Sequence, residues 1–148
     1  VTGGGPPLPR LHRFALVGAG GAVGGLLRYG LITAMPEQPG AFPWTTFTIN
    51  AVGSFALGLL VAGFVGRRAA PAWVRPALGT GLLGGFTTFS AYAHAVDLLA
   101  TGNRAGVAVA YLVGSVLAGV VGAAMGIAVG VRLPTRGAVV VPDGGGPR

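Results

Sequence analysis

Thr80-Gly81-Leu82-Leu83-Gly84-Gly85-Phe86-Thr87-Thr88-Phe89-Ser90-Ala91-Tyr92 (TGLLGGFTTFSAY) sits in the middle of a long apolar run, Val74–Ala100. By length that run can cross a bilayer, which takes about 20 mostly apolar residues. Its centre is at odds with the rest. It carries a glycine pair, the hydroxyls of Thr87, Thr88 and Ser90 at mid-span, and Phe89 and Tyr92 three residues apart on one face. Polar groups at that depth cost energy unless they are paired or used.

Three similar runs flank this one: Phe14–Ala34, Trp44–Val65 and Ala105–Val131. Met35–Pro43 reads as a loop, because Pro36, Pro39, Gly40 and Pro43 forbid a regular helix. Gly66–Pro71 and Thr101–Arg104 form the other connections. Tyr29, Trp44 and Trp73 fall at run ends, where amphipathic rings favour the interface. The expected architecture is an all-α integral membrane protein with four transmembrane helices. Residues 14–131 form the four-helix transmembrane domain, between a disordered N-terminal segment (1–13) and a disordered tail (132–148) rich in Pro and Gly. A cleavable signal peptide is the rival reading of the first run, but its apolar stretch is too long.

Composition agrees. The 148 residues include ten arginines, no lysine and three acids, and mean hydropathy is +0.73. A soluble domain carries about a quarter charged residues. The net charge of +7 does not point to nucleic acid, because the arginines flank apolar runs and face lipid headgroups instead. With four spans, Arg10, Arg13, Arg67, Arg68, Arg75, Arg132 and Arg136 share one side and Arg104 the other. The positive-inside rule then places both termini in the cytoplasm of a multi-pass protein of the cell membrane. Cysteine is absent, which excludes disulfides and thiolate metal sites.

The 29 glycines are a packing device, since small residues let helix backbones approach closely in lipid. Gly114, Ala118, Gly122, Gly126 and Gly130 form a ridge on the fourth run, and Gly20/Gly24 and Gly21/Gly25 recur on the first. Gly18–Gly24 superficially resembles a dinucleotide loop. Neither a preceding strand nor a suitably spaced acid accompanies it, so no nucleotide or organic cofactor is expected.

The remaining polar residues form stripes. Thr46, Asn50 and Ser54 share one face of the second helix, and Tyr111 and Ser115 one face of the fourth. Hydrogen bonding between helices accounts for a single Ser or Thr; Asn50, with two donors and two acceptors, asks for more. No carboxylate lies deep in a span, which argues against proton-coupled export of cations. No nucleophile–base set exists, so no enzyme is expected. Hydroxyls, an amide and electropositive ring edges suit a small anion that must bind and leave again. Arg28 either snorkels or concentrates anions at a vestibule.

These residues resemble the small bacterial fluoride channels called CrcB or Fluc. The likeness runs from about Phe14 to Val131 and rests on GAVGGLLRY (Gly21–Tyr29), TFTINAVGSFALG (Thr46–Gly58) and GTGLLGGFTTFSAY (Gly79–Tyr92). It implies an antiparallel dimer of four-helix subunits, with the third helix broken at its centre and a structural Na+ held by the backbone carbonyls of Gly84 and Thr87. It implies a fluoride pore lined by Asn50, Phe89, Tyr92, Ser90, Thr46, Tyr111 and Ser115, with Arg28 in the vestibule. Tyr92 stands where the family usually has phenylalanine, and the family's glutamate shortly after it is missing. The arginine bias fits one member of an oppositely oriented pair, so the expected partner is a second copy or a homologous subunit, within the lipid bilayer. The competing readings are a four-span transporter of small cations or drugs and a non-conducting structural membrane subunit.

Overall fold

A computed structural model describes residues 8–65 and 71–133 of the chain. The outer parts of both expected tails, and Arg67 and Arg68, lie outside the described residues.

Helix α1 spans Arg10–Ala34 and α2 spans Trp44–Leu60, which continues as a wide π-helical turn over Val61–Val65. The α1 boundary differs from the expected one at residue 14. The amide of Arg13 already donates to the Pro9 carbonyl (3.1 Å), so the helix opens directly after the proline. A first turn that lies beyond the hydrocarbon has no need to be apolar, which is why hydropathy placed the start too late.

Residues 75–86, called α3, wind as a π-helix over Arg75–Leu83 and as an α-helix over Gly84–Phe86. Helix α4 spans Phe89–Thr101 and α5 spans Ala105–Arg132, the longest at 28 residues. Asn103, with φ of 57°, makes the left-handed turn between α4 and α5. Among the described residues, three helices are long and apolar enough to cross a membrane: Arg10–Ala34, Trp44–Phe64 and Ala105–Arg132. The third apolar run holds α3 and α4 instead, with Thr87 (ψ 159°) and Thr88 (φ −148°, ψ 117°) extended between them.

Glycine sorts the helices into two tight pairs. On α1, a methyl group at Gly20 or Gly24 would overlap the carbonyl of Ala77 or Leu82, and from α3 one at Gly85 would overlap the carbonyl of Gly21. The second pair is α2 with α5: methyls at Gly58 and Gly126 would strike the carbonyls of Ala123 and Phe55, and one at Gly122 would come within 2.9 Å of the Ala51 carbonyl. Gly122, Gly126 and Gly130 are therefore the working part of the fourth-run ridge; Gly114 faces open space, as do Gly18 and Gly25. Van der Waals contact between backbones drives such association where lipid offers no hydrophobic gain. The opposite face of α5 turns Leu117, Val120, Val121 and Met125 outward.

The same contacts fix the ends of the bundle. Gly63 at the end of α2 meets Gly130 near the end of α5, Val17 of α1 meets Gly81 of α3, and Leu60 of α2 approaches Gly79. Arg10, Arg13, Arg75 and Arg132 thus gather at one end. At the other, Gly40 lies 3.5 Å from Arg104 Nε, measured from the position its Cβ would take. A small aromatic core closes that end: Tyr111, fully buried, meets Phe42 edge-on (5.3 Å, 90°), and Leu99 and Ala108 pack beside it.

Candidate functional site

The site forms where α2 crosses the extended pair Thr87–Thr88. Asn50 Oδ1 accepts from the Thr88 amide (2.9 Å), and Asn50 Nδ2 donates to the Thr88 carbonyl (3.0 Å). One side-chain amide thus serves both backbone groups of a residue, as a neighbouring strand would. A continuous helix would direct the Thr88 amide at the Gly84 carbonyl; Asn50 takes that donor away. Thr87 fastens the other side, its Oγ1 donating to the Leu83 carbonyl (2.8 Å). Its Cγ2 methyl fills the place where a Cβ on Gly53 would stand, so glycine at 53 is what admits the extended segment.

Thr88 then restarts the chain as α4. As the N-cap residue, its Oγ1 accepts from the Ala91 amide (3.1 Å), satisfying one of the free amides of the first turn. The same oxygen lies 3.2 Å from Ser90 Oγ. Sequence reasoning placed Thr88 among mid-span hydroxyls without assigning it to the site. Its cap signature, a threonine immediately before a new helix, was the available signal.

A cleft of about 390 Å³ opens beside this junction. Of the sequence-predicted residues, Asn50, Gly84, Thr87, Phe89, Tyr92 and Ser115 line it, and Ser54 and Thr88 add hydroxyls. Among the described residues no charged side chain lines the cleft. The Phe89 and Tyr92 rings are 5.7 Å apart, and Tyr92 is 5.5 Å from Tyr111, so a chain of aromatic rings leads from the cleft towards the Phe42 end. Phe89 is 80% exposed although it lines the cleft, which is therefore open on one side. The Tyr92 hydroxyl donates to the Leu112 carbonyl of α5 (3.1 Å).

Thr46, Ser90 and Tyr111 are not among the cleft's lining residues. Thr46 and Tyr111 are buried, and Ser90 sits against Thr88. Among the described residues, Tyr111 and Ser115, one turn apart on α5, each carry a buried hydroxyl without a hydrogen-bond partner. The Nε of Arg28 on α1 is buried and unpartnered as well. Glu37, which sequence reasoning treated only as a loop residue, accepts from the Thr46 amide (2.7 Å) and so caps α2 from the loop. Thr45 Oγ1 adds a bond to the Met35 carbonyl (2.7 Å). Together they fix the start of the helix that carries Asn50.

The sequence profile described as "CrcB-like protein, Camphor Resistance (CrcB)" matches residues 15–127. The chain is 43% identical over 118 residues to the fluoride-specific ion channel FluC of Novosphingobium aromaticivorans, covering 78% of this chain and 93% of that protein. With FluC 2 of Nocardia farcinica it shares 40% identity over 121 residues (82% and 86%). With FluC of Thermus thermophilus it shares 42% over 122 residues (81% and 96%).

Proposed function

The chain belongs to the CrcB family, and from that premise we propose that it conducts fluoride passively across a bacterial membrane, lowering cytoplasmic fluoride. It is a multi-pass membrane protein, and its activity is transport, not catalysis. The observation that carries the proposal is the cleft lining: an amide, hydroxyls and ring edges, with no carboxylate among the described residues. Such donors replace the water around a small anion without trapping it. Asn50 holds Thr88 through one N–H and keeps a second for the ion. The buried, unpaired hydroxyls of Tyr111 and Ser115 are donors of the same kind further along α5.

The open side of the cleft supports assembly. A second copy, or a homologous subunit inserted in the opposite orientation, covers Phe89 and completes the pore in an antiparallel dimer. The gathering of Arg10, Arg13, Arg75 and Arg132 at one end favours the oppositely oriented homologue, with the termini of this chain in the cytoplasm. The interrupted third helix offers carbonyls at depth, tolerable where protein or an ion uses them. Gly84, exposed and with its helical donor diverted to Asn50, fits such a use. The carbonyls of Gly84 and Thr87 would hold a structural Na+, which supplies charge to bind the two subunits at their junction.

Proteoliposomes loaded with fluoride and read by an external fluoride electrode test the reading. Efflux should follow from this chain with its partner subunit and show little passage of chloride. Retention of fluoride under both homomeric and paired reconstitution, with folded protein in the membrane, would rule it out. Robust efflux from this chain alone, in both orientations, would remove the heterodimer and leave the channel.

A further inference from the structure

Where α1 and α3 begin, a second cavity of about 610 Å³ is lined by Arg10, Arg13 and Arg75, with Phe14, Val17 and Thr80. Three arginines from two helices line one space. Each guanidinium carries five donors and no acceptor, and like charges around one cavity repel less when an anion lies among them. Among the described residues none of the three guanidinium groups makes a hydrogen bond or ion pair. The described acids, Glu37 and Asp97, belong to the other end of the bundle, with the α1–α2 loop and the last turns of α4.

We propose that this cavity binds the phosphodiester headgroup of an anionic phospholipid. Guanidinium forks match phosphate oxygens two at a time. Basic pockets between transmembrane helices on the cytoplasmic side bind headgroups of this class. The lipid is favoured over free phosphate by the wall of the cavity: Phe14 is 73% exposed and, with Val17, continues the arginine pocket onto the apolar surface where an acyl chain lies. A zwitterionic headgroup would bring its own cation among three others, so the site selects net negative lipid. This site is separate from the anion cleft, and its test does not depend on fluoride flux.

Native mass spectrometry of the detergent-purified, assembled protein, titrated with phosphatidylglycerol or phosphatidylcholine, reads the site directly. Wild type should retain phosphatidylglycerol in preference to phosphatidylcholine. Arg10→Gln and Arg75→Gln, on different helices, should each weaken retention about fivefold, and the triple change with Arg13→Gln about a hundredfold. Arg132→Gln, which does not line the cavity, should change it less than about twofold. The single variants keep the test decisive if the triple variant fails to fold. Equal retention of both lipids, or retention untouched by the cavity variants, would overturn the proposal. Displacement of phosphatidylglycerol by millimolar inorganic phosphate would assign the pocket to free phosphate and overturn the lipid reading.

Discussion

Asn50 and the Tyr111–Ser115 pair are both polar groups at membrane depth, and they stand in opposite conditions. The Asn50 amide is engaged on both its oxygen and its nitrogen, by one residue 38 positions away. The hydroxyls of Tyr111 and Ser115 are buried and, among the described residues, have no hydrogen-bond partner. The first arrangement is architectural: it holds Thr88 extended and diverts a donor from Gly84. The second is idle in folding, which is the condition expected of groups reserved for a passing ion. The sequence displayed both as stripes of hydroxyls and amides, and the distinction between them exists only in three dimensions.

Breaking the engaged side should have the largest effect. Asn50→Ala strands the amide and the carbonyl of Thr88, at about 1–3 kcal/mol for each group. The melting temperature in detergent should fall clearly, and fluoride efflux should drop with it, because the segment that shapes the cleft is no longer held. An unchanged melting temperature with lost flux would make Asn50 a pore donor alone. Gly53→Val comes next: the new side chain collides with the Thr87 methyl, and overpacking costs about 1–3 kcal/mol. Cysteine accessibility at position 87 should report the displaced segment, and native-like accessibility with full flux would contradict the role given to Gly53.

Smaller changes sharpen the contrast. Tyr92→Phe removes one bond to the Leu112 carbonyl; about 0.6 kcal/mol is expected, with flux retained. A loss of flux beyond about fivefold would show that the phenol does more than anchor the ring. Ser115→Ala should be the mildest for folding, within about 0.5 kcal/mol of wild type, because no protein partner is lost. Its flux should nonetheless drop. Should stability fall and flux hold, Ser115 belongs with the structural bonds.

Much of the molecule was legible because its constraints are local. Hydropathy and run length located the three described helices long and apolar enough to cross a membrane, and proline located the α1–α2 loop. Small residues at i, i+4 marked the faces that became Gly20/Gly24 and Gly122/Gly126. The limits of that reading were also local: hydropathy began α1 at Phe14, although Pro9 opens it at Arg10. A small-residue ridge cannot say where along its length the partner helix crosses, so Gly114 looked equivalent to Gly126.

By itself, then, the sequence determined how many apolar runs there are, which face of each is small and which polar, and that no charge sits at mid-span. Tertiary structure alone decided the pairings of Asn50 with Thr88, Glu37 with Thr46 and Tyr92 with Leu112, and the cavity that three arginines share. Periodicity fixes directions around one helix axis and carries nothing about the rotation and crossing of its neighbours. Those are set by how closely glycine lets two backbones approach, and that contact belongs to both helices at once.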